Sequence, residues 1–215
     1  MQDVDSVAMT IASNEYQRRI QQAQAAAGRV DQTPVILGTG LTLMLTAAAA
    51  ALAVLWPTRT SVFWVFAAIL SLSAGLFTVL VLYRDFVARV TLTDAEKAQT
   101  RLRNYFVSRA PEVEPYLSDT IYDDWPTPFN NPWRSKTFAA WLVLAAAASI
   151  FLGGAVTFAA ESAAPRSDAG VFAAGFAVAG LSMWLLTMGL VRMARRRARL
   201  DRPLFPRPDP PSPPT

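Results

Sequence analysis

The side chains best suited to chemistry in this chain are carboxylates and guanidiniums. Asp119, Asp123 and Asp124 follow Glu112 and Glu114 within one polar stretch. Carboxylates so spaced can hold Mg²⁺ for phosphoryl or lipid-headgroup chemistry. Here they lack a paired second motif and sit among prolines, so solvated acids balancing nearby lysine and arginine are the expectation. Cysteine and histidine are both absent, which removes disulfides, thiolate nucleophiles and imidazole ligands. There is no glycine-rich phosphate loop and no nucleophile elbow. The expectation is a non-enzyme with no catalytic residue, no cofactor and no metal.

The other concentration of charge is "VRMARRRARLDRP", residues 191–203, with six arginines. Such a run suits a nucleic-acid patch, a membrane-surface anchor or an address. No aromatic residue is interleaved to stack bases and no reading module accompanies it, so no nucleic-acid partner is expected. The elements that must position this run decide between the other readings.

Those elements are set by where charge is missing. Pro34–Thr58, Ser61–Tyr83, Thr137–Ala160 and Gly170–Val191 contain no charged residue, and each is 22 to 25 residues long. As helices they reach roughly 33–37 Å, enough to cross a hydrocarbon core of about 30 Å. Hydrophobic residues make up 53% of the chain and charged ones 17%, where soluble domains carry about 25%. The predicted fold is all-α: a polytopic membrane protein whose four transmembrane helices form two hairpins, with a small cytoplasmic helical cap. The acidic, polar start "MQDVDSVAMTIASNEYQRR" is no signal peptide, so the first span is expected to act as the targeting signal.

Basic residues give the orientation. Segment 1–33, the loop 84–136 and the region after Val191 carry eighteen lysines and arginines; the two remaining connections carry one each, Arg59 and Arg166. The positive-inside rule therefore puts both termini and the long loop in the cytoplasm. Arg192, Arg195, Arg196, Arg197 and Arg199 then read as topological anchors that touch anionic headgroups, at about 1 kcal/mol per basic residue. High alanine and arginine with little lysine suggest a GC-rich bacterial genome, hence the plasma (inner) membrane.

Five segments are expected. Residues 1–33 form a cytoplasmic amphipathic helix over 11–30, closed by Gly28. Residues 34–83 are the first hairpin and 137–191 the second. Residues 84–136 form a helical and aromatic loop, in which Thr93 and Glu96 make a capping box for a helix to Arg109. Residues 192–215 are a basic, then proline-rich cytoplasmic tail. Within the loop, Tyr116, Tyr122, Trp125, Phe129 and Trp133 suit a partner surface, interfacial anchoring or packing on the chain itself.

The spans hold small residues four apart: Ala145, Ser149, Gly153 and Thr157 most regularly, with Gly38, Thr42 and Thr46, and Gly75, in the first two spans. Such ladders let helix backbones approach closely, either within one bundle or between chains. No ionisable residue lies inside any span, which argues against a proton-coupled carrier. The function expected is an accessory or scaffold subunit, or an oligomerising membrane effector, with other membrane subunits or further copies as partners. The alternative is a small oligomeric pore or transporter lined by residues such as Thr39, Thr42 and Thr46.

Overall fold

Nothing between Ser61 and Ala110 stops a helix: Gly75 is the sole glycine there and proline is absent. A computed structural model describes residues 2–55, 61–116, 129, 133, 135–163, 169–200 and 204. Its helices are α1 (Gln2–Leu55), α2 (Ser61–Arg109), α3 (Lys136–Ala163) and α4 (Ala169–Leu200), with a short 3₁₀ helix at Pro111–Tyr116. All four α-helices are long and apolar enough to cross a membrane.

Two of them are longer than the sequence leads one to expect. The 11–30 helix and the first span are one 54-residue helix that passes through Gly28 and Pro34. Proline withholds an N–H from the carbonyl four residues back. Burial of Ala26 and Thr33 shows the helix packed along this stretch, and packing outweighs local propensity. Likewise α2 has no break at Thr93. That residue is buried inside a 49-residue helix, so the expected capping box does not exist. A cap forms where backbone N–H groups lack partners, and in an unbroken helix those of residues 93–96 have them. At the other end α2 stops at Arg109, before Pro111, as the restriction on pre-proline residues requires.

Each helix packs on the next in sequence. Between α1 and α2, Phe77 lies against Gly40 and Phe106 against Tyr16. Between α2 and α3, the Ser71 hydroxyl donates to the Phe151 carbonyl at 2.7 Å, and Arg89 Nη1 donates to Thr137 Oγ1 at 3.3 Å. In both interfaces residue numbers climb in one helix as they descend in the other. Most other intramembrane hydroxyls return to their own helix, as Thr46 does to the Thr42 carbonyl and Ser149 to that of Ala145.

The small-residue ladders separate into two kinds. Ala145 and Ser149 are buried, and a Cβ on Gly153 would meet the Gly175 carbonyl oxygen at 2.6 Å. A Cβ on Gly175 would collide with Thr157 Oγ1, and one on Gly75 would meet Leu152 at 3.1 Å. These positions serve contacts within the chain. Of the two uses open to the Ala145–Ser149–Gly153 ladder, the chain shows packing within the bundle, against α2 and α4. The α1 ladder differs: Gly38, Thr42 and Thr46 are exposed, and nothing lies within 4 Å of a Cβ built on Gly38.

Gly153→Ala is therefore expected to destabilise the bundle by about 1–3 kcal/mol, the usual cost of overpacking. Gly38→Ala should leave the thermal midpoint in detergent unchanged or slightly raised. Equal responses of the two variants would contradict this division of the ladders.

Candidate functional site at the charged end of the helices

Where the uncharged stretches of α2, α3 and α4 meet charged sequence, the chain builds a buried hydrophobic core. Leu82 and Phe86 of α2, Phe138, Trp141 and Ala145 of α3, and Leu190, Val191 and Ala194 of α4 pack around Phe129. Trp141 is 0% exposed, with Phe86 at 5.2 Å and Phe129 at 6.2 Å between ring centroids. Such aromatic pairs add roughly 0.5–1.5 kcal/mol each beyond area burial.

Into this core reaches one carboxylate. Asp85 is 3% exposed. Its Oδ2 accepts from Trp141 Nε1 and from Arg89 Nε, both at 2.7 Å, while the buried Oδ1 has no hydrogen-bond partner. Arg89, one helical turn on, also donates to Thr137, so α2 and α3 are tied by a connected polar set. Asp85 lies two residues beyond the charge-free stretch of α2. A search confined to ionisable residues inside the spans misses it. The sequence signal is the acid–base pair Asp85 and Arg89 at four-residue spacing, the favourable order on a helix.

The basic run after Val191 is not a separate tail at its start. It forms the last turns of α4, which extends to Leu200, with Ala194 fully buried in the core. Arg192, Arg195, Arg196 and Arg199 project outward on that helix and are exposed. Among the described residues they make no ion pair. Arg197 turns inward to pair with Asp94 of α2. Beyond the core, α1 and α2 continue together: Tyr16 meets Phe106 edge-on at 6.2 Å, and Arg103 Nε donates to the Tyr16 hydroxyl at 3.3 Å. On this extension, burial pushes the Glu96 carboxyl above the usual carboxylate range.

The aromatic residues proposed as a partner surface divide as well. Phe129 is 1% exposed and belongs to the core, so it is not available to a partner. Trp133 is 60% exposed, with one edge against Phe138 at 5.1 Å. Tyr116 ends the 3₁₀ helix. Tyr122, Trp125 and the Asp119, Asp123 and Asp124 cluster lie outside the described residues. Among the described residues no group of three or more carboxylates is placed to hold a metal ion.

These features define a class: an all-helical chain with four helices able to cross a membrane, and a polar–aromatic clasp where the charge-free stretches end. No family model matches the chain, and neither the curated proteins nor the solved structures provide a match.

The clasp predicts a graded response. Asp85→Ala leaves Arg89 and the Trp141 N–H without their buried acceptor and should cost about 3 kcal/mol or more, as removal of one partner from a buried pair does. Trp141→Phe keeps an aromatic ring but removes one donor and should cost less, about 1–3 kcal/mol. Thermal unfolding in detergent should rank wild type above Trp141→Phe above Asp85→Ala. A midpoint unmoved by Asp85→Ala would contradict the clasp.

Proposed function

We propose that the chain is a non-enzymatic multi-pass protein of a bacterial plasma (inner) membrane. In this reading its spans form two hairpins, and both termini and the 84–136 region face the cytoplasm. It acts as an accessory or scaffold subunit, or as an oligomerising effector, and joins other membrane subunits or copies of itself through α1. The basic end of α4 rests on anionic headgroups.

The observation that carries the association reading is the outward α1 ladder. Without a hydrophobic drive in lipid, helices associate through close packing at small residues. Gly38, Thr42 and Thr46 offer such a strip, exposed along α1, while the corresponding strip of α3 is consumed internally. The Thr46 hydroxyl is already bonded to the Thr42 carbonyl, so the strip presents little unsatisfied polarity to a neighbour. The eighteen-to-two distribution of basic residues supports the orientation. The four outward arginines of α4 support headgroup contact, since each adds about 1 kcal/mol of attraction to an anionic surface.

The test is mass measurement after purification in mild detergent. The wild-type protein should migrate as a homo-oligomer or with a stoichiometric partner. Gly38→Ile combined with Thr42→Ile should reduce it to the single chain without lowering the thermal midpoint. A wild-type monomer, or an association untouched by both substitutions, would overturn the reading. Selective solute flux through liposomes holding the purified protein would favour the pore alternative, in which Thr39, Thr42 and Thr46 of several copies line the path.

A further inference from the structure

Between the extensions of α1 and α2 lies a cleft of about 300 Å³ that the reading above does not use. Its polar lining is Arg19, Gln22 and Arg29 from α1, with Thr91 and Asp94 from α2, over a floor of alanines. The floor residues Ala26 and Ala95 are each 2% exposed, so the two backbones run close together and the long side chains stand around the opening. Three observations bear on what it holds. Arg29 forms no ion pair among the described residues and is exposed, so its guanidinium is available. Arg19 is held in place, its Nε donating to Glu15 at 2.7 Å and its Nη1 to Gln22 at 3.3 Å. Asp94, the lining carboxylate, is engaged by Arg197 of α4, which offsets its charge.

Arg19, ten residues and about 15 Å of helix from Arg29, has its charge offset by Glu15, so Arg29 is the lining guanidinium left for a ligand. With the lining carboxylate paired elsewhere, that free guanidinium suits a planar or tetrahedral oxyanion. Guanidinium donors match phosphate geometry with paired N–H groups. Position narrows the class further. Arg29 precedes the charge-free stretch of α1 by five residues, roughly 7–8 Å of helix. The headgroup layer extends about 5–8 Å beyond the hydrocarbon on each side. We propose that this cleft is a phosphate-binding site, with Arg29 as the principal ligand and Gln22, whose carbonyl is held by Arg19, as a neutral donor. Arg29 takes the phosphate of an anionic phospholipid, or the same group on a soluble ligand entering from the polar side. The proposal rests on the membrane embedding read above and is separate from the headgroup contact assigned to α4.

The experiment uses the full chain in neutral detergent. Its thermal midpoint is followed while inorganic phosphate, phosphatidylglycerol or zwitterionic phosphatidylcholine is added. A saturable rise with a phosphate-bearing anion is expected. Half-saturation should move up roughly ten- to hundredfold in Arg19→Gln/Arg29→Gln, the loss expected from one or more charge-assisted contacts. Arg29→Lys should recover part of it, and Arg195→Gln/Arg196→Gln should retain the wild-type response. A response to phosphatidylglycerol alone assigns the site to a headgroup, and one to inorganic phosphate assigns it to a soluble ligand. No response to either anion, or an Arg19→Gln/Arg29→Gln response equal to wild type, overturns the proposal. A loss in Arg195→Gln/Arg196→Gln alone also removes the cleft site while leaving the headgroup contact of α4 standing.

Discussion

Hydrocarbon supplies neither hydrogen-bond partners nor the dielectric response that makes charge affordable. That constraint organises this chain. Four stretches of 22 to 25 residues carry no charge at all, and the described residues of each lie within a single helix, as an apolar medium requires. Several side-chain hydroxyls obey it too, although the buried Thr187 Oγ1 has no partner. Thr78 is fully buried and donates to the Ala74 carbonyl at 2.8 Å, and Ser71 reaches across to the Phe151 carbonyl of the neighbouring helix. With no water to drive association, the helices meet where side chains are smallest, as at Gly153 against Gly175 and Ala179.

Charge returns abruptly where these stretches end, and there the chain organises it. Asp85 would be costly to bury alone. Arg89 from the same helix and the Trp141 indole from the next make it the knot of the aromatic core. One helical face further out, the Asp94–Arg197 pair draws the end of α4 onto α2. The outward arginines of α4 are thereby held on a fixed helical surface, not on a loose tail. The clasp, the α4 surface and the α1–α2 cleft share this single end of the molecule.

Much of this architecture was legible in the residues. Absence of charge over a membrane-sized length is a strong signal because a single lysine or aspartate at mid-bilayer would erase it. The stop at Arg109 was equally plain, since Pro111 constrains the residue before it. What was hidden is the continuity of α1 and α2. Gly28, Pro34 and the Thr93–Glu96 pair are local punctuation, and burial of Ala26, Thr33 and Thr93 along the helix–helix seam overrides them. The facing of the small-residue ladders was also hidden. Gly38 and Gly153 stand in similar four-residue patterns, and which one looks inward depends on the helix each happens to neighbour. Asp85 escaped because the pair it forms with Trp141 joins residues 56 apart in sequence, a distance over which no local pattern speaks.

The central claim is that four charge-free helices cross a bilayer and leave the polar extensions together on one side. Because the chain has no cysteine, single cysteines can be placed at Ser13, Ser108, Gly170 and Arg196, all exposed, and probed with an impermeant maleimide in sealed vesicles of known orientation. The account predicts that positions 13, 108 and 196 react from the same face and position 170 from the other. Reaction of positions 108 and 196 from opposite faces would contradict it.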